Sequence, residues 1–261
     1  MKFLPRPLVK TRDNSRGKPR LKDWVKGLAS VAIFLGVAYM ALGWIADGIA
    51  SSISEESEAE LFQWLDIGDQ PTNNLAFNEA QRIFEELLED PQLRPLPYHL
   101  VLLDLGDPNA FALPGGLVGV TPGLLEIIDS EIGMAFVLAH ELGHQQHRHA
   151  LKRLGRALIH RIAIGWISGS GDLSLLNHAL SLATLKHSRD QERDADDFGL
   201  ALIHRVHGTT EGAFEFFEHI HNQAGDGSKI GAMFQTHPLT EERLRDLHEA
   251  ATHLRGSIER L

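Results

Sequence analysis

The chain has 261 residues, of which 43% are hydrophobic and 23% are charged, so it has enough apolar material for a sizeable folded core. It contains no Cys, which excludes a disulfide-stapled scaffold and a zinc site built from Cys. The formal net charge of −10 is divided unevenly, because residues 1–26 hold nine Lys or Arg and only two Asp.

The first part of the chain predicts a membrane anchor. Residues 27–46 contain no charged side chain, and 20 helical residues span about 30 Å, the thickness of the hydrocarbon layer of a bilayer. Trp24 and Trp44 lie near the two ends of this run, where aromatic side chains favour the membrane interface. We predict an uncleaved anchor over residues 27–50, and the small residues that end at Ala50 leave a cleaved signal peptide as the alternative.

The basic segment before the anchor predicts its orientation. Residues 1–26 are rich in Pro, Lys and Arg, which is typical of a disordered tail. Basic flanks stay in the cytoplasm, so residue 51 onward is expected outside it, in the periplasm if the cell is bacterial. The tail could contact anionic lipid. No aromatic or fold motif accompanies its charge, so we predict no nucleic-acid partner.

After the anchor, the apolar pattern predicts a helix and then a pair of strands. Residues 77–88 place apolar side chains at helical spacing, at positions 77, 80, 83, 84, 87 and 88. Residues 98–105 have strand character, and residues 109–120 are predicted as two short strands around a turn at Pro114-Gly115-Gly116. The pair has two interpretations, an edge strand that binds an extended substrate chain or a hairpin of the core.

The most informative motif is His140-Glu141-Leu142-Gly143-His144, an H-E-x-x-H sequence in a helix predicted to begin at residue 129 or 130. Positions i and i+4 lie on one face of a helix, so both imidazoles can bind one zinc ion. Zinc lowers the pKa of a bound water, and a nearby carboxylate can take its proton. The motif predicts His140 and His144 as ligands and Glu141 as the general base, with a His-rich surface helix as the alternative.

A second, acidic helix offers a third ligand. Glu192 and Asp196 are spaced i, i+4, so they share one helix face. We predict Glu192 as the third zinc ligand and Asp196 as the acceptor of a hydrogen bond from the free nitrogen of a ligand histidine. A solvated charged helix is the alternative. The metzincin pattern fails, because His147 stands where its Gly belongs and Ala150 where its third His belongs.

The H-E-L-G-H and E-R-D-A-D segments together resemble the gluzincin zinc endopeptidases of metallopeptidase family forty-eight, the family of the CAAX prenyl, HtpX and OMA-type proteases. Residues 109–121 and the late Thr236-His237-Pro238 segment are similar to further parts of that family. The resemblance covers roughly residues 55–255. It implies a zincin-like helical catalytic domain with a small β-hairpin or sheet beside the cleft. Together with the element pattern and the apolar run, it predicts a mostly α (α+β) fold preceded by one transmembrane helix.

Several polar side chains near these motifs have open roles. By resemblance, His237 donates a hydrogen bond to the oxyanion of the tetrahedral intermediate. The alternative is a helix-entry position beside Pro238. Arg243 is expected to pair with an acidic group near the site. We expect His147 on the surface and His149 as a structural hydrogen-bonding residue.

The rest of the chain is predicted to be mostly helical, at residues 172–222 and 238–255. Residues 157–167 are apolar but too short to cross a bilayer, which predicts a core helix or a helix lying at the membrane surface. The Gly/Ser-rich residues 168–171 are predicted to form a mobile lid over the cleft.

These inferences divide the chain into a basic cytoplasmic tail at 1–26, an anchor at 27–50 and a zinc metallopeptidase domain at 51–261. The predicted function is a membrane-anchored endopeptidase with one Zn²⁺ per chain that hydrolyses envelope or misfolded proteins. Its predicted partners are protein or peptide substrates and the membrane. A zinc-binding envelope chaperone or scaffold with little proteolysis is the alternative, and a His-rich store of several weakly held ions is a further one.

Overall fold

The computed structural model describes residues 20–63, 73–104, 107–168, 187–214 and 236–258, with the backbone alone for 160–168 and 255–258. The predicted lid at 169–171 and the predicted helical pieces at 172–186 and 215–222 lie outside these ranges. The elements are α1 (Leu21–Ser52), α2 (Glu55–Phe62), α3 (Leu75–Leu88), β1 (His99–Leu102), β2 (Ala110–Leu113), β3 (Leu117–Val120), α4 (Pro122–Ile127), α5 (Glu131–Gln146), α6 (His149–Ser168), α7 (Arg189–His207) and α8 (Glu241–Ile258). The mostly helical fold with a small sheet is confirmed.

The helix α1 is long and apolar enough to cross a membrane. It starts at Leu21, six residues before the predicted anchor, where the carboxylate of Asp23 accepts a hydrogen bond from the backbone N–H of Arg20 and caps the first turn. The most apolar 18-residue window has a mean hydropathy of 2.0, and none of it is buried inside the protein. An exposed apolar surface of this length fits a lipid environment.

The polar stretch after α1 forms the short helix α2. The hydroxyl of Ser54 accepts a hydrogen bond from the N–H of Ser57 at 3.2 Å and begins the helix. The carboxylate of Glu58 is buried and pairs with Arg94 at 2.6 Å. Because Arg94 also donates to the carbonyl oxygen of Gln145 at 2.9 Å, it joins α2 to the end of α5.

The helix α6 packs against the last turns of α1 in the opposite direction. At its start, Arg148 donates to the carbonyl oxygen of Ala50 at 2.8 Å, and two turns later Arg156 donates to Asp47 at 2.6 Å. The apolar residues 157–167 therefore continue the helix that packs on α1.

The helix α3 confirms the amphipathic pattern predicted at residues 77–88. The side chain of Asn74 accepts a hydrogen bond from the N–H of Phe77 at 3.1 Å and caps the helix. Its buried face consists of Phe77, Ala80, Ile83, Phe84 and Leu87. This face packs in one apolar cluster with α5, in which every residue from Gly133 to Gln145 is buried.

Two glycines allow α5 and α7 to approach each other closely. A Cβ atom at Gly143 would lie 2.8 Å from the carbonyl oxygen of Ala195, a distance that real Cβ atoms do not adopt. A Cβ atom at Gly199 would lie 3.1 Å from the backbone nitrogen of His140. The backbones of the two helices therefore touch, and the H-E-x-x-H motif faces the acidic segment of α7.

The three described strands form one sheet in which β3 is central. It pairs in parallel with β1 and antiparallel with β2. The turn of the predicted hairpin has Gly115 and Gly116 at φ angles of 86° and 97°, which favour glycine. Because β3 is bonded on both sides, β2 is the strand of the predicted pair that has a free edge in the described sheet. The predicted strand at 98–105 is shorter than expected and covers His99–Leu102.

Candidate metal centre

The helix α5 carries two histidines into the interior of the protein. It begins at Ser130, whose hydroxyl accepts a hydrogen bond from the N–H of Gly133 at 3.2 Å. His140 and His144 lie one turn apart and are 2% and 0% exposed. Their Nε2 atoms are 3.1 Å apart, so both rings point at the same place.

The helix α7 adds a carboxylate to this pair. The helix begins at Ser188, which exchanges side chain and backbone hydrogen bonds with Gln191 in a capping box. Glu192, in the first turn, is buried rather than solvated. Its Oε2 lies 3.6 Å from Nε2 of His140, and its Oε1 lies 3.5 Å from Nε2 of His144. The three predicted ligands thus converge.

His237 joins the same group from the segment before α8. Its Nδ1 lies 3.2 Å from Nε2 of His140 and 3.2 Å from Oε1 of Glu192. Its Nε2 faces Oε1 of Glu141 at 3.5 Å. The ring is buried and belongs to the group of four side chains that could hold a metal ion.

These four side chains have the spacing that a tetrahedral ion requires. Zinc bonds of about 2.0–2.1 Å to nitrogen and oxygen place neighbouring ligand atoms about 3.3 Å apart. Five separations between these ring nitrogens and the Glu192 oxygens are 3.1–3.6 Å, and the four ligand atoms all lie within 4.8 Å of one another. Three imidazole nitrogens and one carboxylate are donors that zinc accepts. A metal ion of this kind therefore fits the group.

Glu141 is a buried carboxylate that accepts no hydrogen bond from the described residues. Neither of its oxygens has a hydrogen-bond partner among the described residues. A buried carboxylate in such a state is costly, and a chemical role is one explanation for it. Its place beside the donor group suits a base that faces a water molecule or a substrate.

Asp196 and Arg243 form a second layer behind the donors. Oδ1 of Asp196 lies 2.9 Å from Nδ1 of His140, so the residue predicted to orient a ligand histidine lies beside the second nitrogen of its ring. Arg243 contacts both oxygens of Asp196, at 2.6 and 2.7 Å, and reaches Oε2 of Glu192 at 2.5 Å. The acidic partners expected for Arg243 are therefore the two carboxylates of α7.

Burial and the neighbouring positive charges shift the pKa values of these carboxyl groups in opposite directions. Burial raises the pKa of Glu192, but the charges of His237 and Arg243 outweigh it and hold that pKa well below its usual value. Burial likewise raises the pKa of Asp196, and Arg243 reverses the effect. Burial lowers the pKa of His144 well below its usual value. The carboxylates therefore stay anionic and His144 neutral, the forms in which they bind a cation.

Two further histidines surround His144. Nδ1 of His149 lies 2.7 Å from Nδ1 of His144, and burial lowers the pKa of His149 to about 3. The ring of His187 stacks on that of His144 with 3.8 Å between the centroids. This contact agrees with the hydrogen-bonding role that the sequence predicted for His149. His147 was expected on the surface, but it is half-buried beside Phe198.

Sequence reasoning missed His187 and Gln145. His187 directly precedes the capping residue of α7, and this proximity to Glu192 is the one signal in the sequence. Its backbone N–H donates to the carbonyl of Thr236 at 2.9 Å, which ties it to the segment of His237. The amide of Gln145 donates to the carbonyl oxygens of Leu113 and Leu117, the latter at 2.9 Å, and so fixes the hairpin to α5.

A helix with the H-E-x-x-H motif, faced by a glutamate from a second helix and oriented by an aspartate one turn later, defines the gluzincin class of metallopeptidases. A profile of peptidase family M48 matches residues 74–251. The chain belongs to this family.

Curated relatives carry the names of metalloproteases. The chain is 34% identical to the mitochondrial metalloendopeptidase OMA1 of Schizosaccharomyces pombe, over 65% of this chain and 51% of that protein. It is 28% identical to the beta-barrel assembly-enhancing protease of Escherichia coli K12, over 62% of this chain and 36% of that protein. It is 29% identical to the metalloprotease YcaL of the same organism, over 84% and 87%. The chain therefore spans about half or less of the first two relatives and most of the third.

Proposed function

We propose that the protein is a membrane-anchored, zinc-dependent endopeptidase whose catalytic domain comprises residues 51–261. The observation that carries the proposal is the buried group of His140, His144, Glu192 and His237 beside the carboxylate of Glu141, which accepts no hydrogen bond among the described residues. Membership of peptidase family M48 and the names of the relatives support it.

In this proposal, His140 and His144 hold the ion through Nε2, and Glu192 holds it through its carboxylate. Zinc, when bound, lowers the pKa of a water molecule and polarises a carbonyl group. Glu141 takes the proton from the attacking water and then delivers it to the leaving amine. In this proposal Asp196 orients the ring of His140, because its Oδ1 lies 2.9 Å from Nδ1 of that histidine.

His237 would be a fourth protein ligand in the described conformation. A catalytic zinc site needs one open position, so we infer that His237 is not a permanent ligand. Its Nε2 lies 3.5 Å from Oε1 of Glu141, and the family resemblance implies that it donates a hydrogen bond to the oxyanion. The variant His237→Leu separates the two roles. Peptide cleavage should rise if occupation of the open position by His237 dominates and fall if the oxyanion contact dominates.

We propose that an extended substrate chain pairs with β2. This strand is buried but has one side without a strand partner in the described sheet, and Gln145 fixes its end to the helix that carries His144. Strand addition forms hydrogen bonds with the backbone N–H and C=O groups of a chain that is not folded. Together with the predicted orientation of the anchor, this favours envelope proteins with flexible or misfolded segments as substrates.

The test uses the full chain purified in detergent, with casein as substrate and metal analysis of each sample. Wild type should contain one tightly bound zinc and lose cleavage when a chelator is added. Glu141→Gln should keep the zinc and cleave at least about 100-fold more slowly, because it lacks the base. Glu126→Gln, which changes an exposed glutamate on α4, should cleave like wild type.

Other outcomes would contradict parts of the proposal. Cleavage by Glu141→Gln at the wild-type rate would show that another group is the base. Tight zinc without cleavage in wild type would favour the chaperone or scaffold, and several weakly held ions would favour the metal store.

A further inference from the structure

The two imidazoles of the H-E-x-x-H motif are each held through their second ring nitrogen, but by different kinds of partner. Nδ1 of His140 faces a carboxylate, that of Asp196, at 2.9 Å. Nδ1 of His144 faces another imidazole nitrogen, Nδ1 of His149, at 2.7 Å. Both rings of this second pair are almost fully buried, at 0% and 3% exposed.

The short distance identifies a hydrogen bond rather than a second metal site. His144, His149 and His187 form a group whose nitrogens lie close together. Two nitrogens on one tetrahedral zinc ion lie about 3.3 Å apart, however, and 2.7 Å is too short for that. His187 lies face to face with His144, with 25° between the ring planes, so it packs on the ring rather than bonding along its edge.

The direction of this hydrogen bond follows from the donor group. Nε2 of His144 faces His140 and Glu192, so Nε2 is the nitrogen that is available to a metal ion. A neutral imidazole that binds through Nε2 carries its proton on Nδ1. Nδ1 of His144 is therefore the donor, and Nδ1 of His149 is the acceptor. The proton of His149 then sits on Nε2, which faces the carboxylate of Asp194 at 3.7 Å.

We propose that His149 is a positioning residue for the metal centre. By accepting from Nδ1–H of His144, it fixes the tautomer and the ring orientation in which Nε2 points at the other donors. His149 thus orients the ring of His144, as Asp196 is proposed to orient the ring of His140. This inference rests on the proposed function, because it assumes that the donor group holds zinc.

The experiment measures the affinity for Zn²⁺ alone by competition with a chromophoric chelator, on the full chain in detergent. Three substitutions of His149 differ in where they leave an acceptor. His149→Asn keeps an oxygen near the position of Nδ1, His149→Gln moves it towards the position of Nε2, and His149→Leu removes it. The affinity should stay within about threefold of wild type for Asn and fall by about 10–100-fold for Gln and Leu.

Circular dichroism of the metal-free proteins shows which variants fold, and the Asn and Gln variants decide the question if Leu does not. Equal affinities for Asn and Gln would overturn the inference while the metal centre stands, because a merely structural role does not depend on the position of the acceptor. If wild type holds no tight zinc, the metal centre itself is wrong and this inference falls with it.

Discussion

At the residue scale, Arg243 joins both carboxylates that α7 contributes to the metal centre. It contacts the two oxygens of Asp196 and one oxygen of Glu192 within 2.5–2.7 Å, and its side chain is 8% exposed. Opposite charges attract each other strongly in the protein interior, but a buried charge that loses its partner destabilises the fold strongly. Arg243 therefore offsets the cost of burying these two carboxylates when no metal ion is bound.

Arg243→Met should lower the free energy of unfolding of the metal-free protein by about 3–5 kcal/mol, because it leaves Asp196 and Glu192 buried without their cation. Arg193→Met is the matched control on α7. Arg193 is half exposed, and its ion pairs are longer, at 3.6 and 3.7 Å, so the cost should stay below about 1 kcal/mol. Chemical unfolding followed by circular dichroism measures both. Equal losses in the two variants would contradict the role given to Arg243.

At the element scale, the contact between α5 and α7 sets the geometry of the donors. The sequence predicts each helix from its own pattern, since the spacing within a helix is fixed by its period of 3.6 residues. How closely two helices pack depends on the side chains that lie between them. Gly143 faces Ala195, and Gly199 faces the backbone of His140, so the donors of the two helices come within reach of one ion.

Gly143→Ala should therefore reduce both stability and zinc affinity. The added Cβ would meet the backbone of Ala195 at 2.8 Å, which the neighbouring helix can relieve only by moving away. Such overpacking costs about 1–3 kcal/mol. Gly133→Ala is the control in the same helix, because its Cβ would have 3.4 Å to the nearest atom and alanine favours a helix. Thermal unfolding and zinc competition should distinguish the two, and an effect of equal size in both would argue against the close-approach explanation.

At the scale of the whole molecule, the metal centre is attached to the candidate membrane helix through α6. His149 is the first residue of α6, and the same helix pairs with α1 through Arg156 and Asp47. Arg148, one residue earlier, donates to the carbonyl oxygen of Ala50 near the end of α1. If α1 spans a bilayer, these contacts therefore fix the distance between the metal centre and the membrane surface.

The absence of Cys in the chain allows the proposed orientation to be measured directly. Lys22 and Glu56 are both exposed and lie on opposite sides of the apolar run. In bacterial spheroplasts, Glu56→Cys should react with a membrane-impermeant maleimide, and Lys22→Cys should react only after lysis, because the basic flank stays in the cytoplasm. The reverse pattern would place the catalytic domain in the cytoplasm. Reaction of both before lysis would show that α1 does not span the membrane.

The sequence by itself determined the parts that depend on neighbours along the chain. These are the apolar length of α1, the pairing of His140 with His144 and of Glu192 with Asp196 on helix faces, and the hairpin around Gly115 and Gly116. Each follows from a helical or strand period, or from a backbone angle that few residues adopt.

Only the tertiary structure decided which of the 15 histidines surround the donor group and which two acids Arg243 contacts. His140 and His237 are 97 residues apart in the chain, and His187 reaches the site from yet another segment. Contacts at such separations depend on how all the helices pack together. A local pattern carries no record of that packing, because it is set by the shapes of the surfaces that meet.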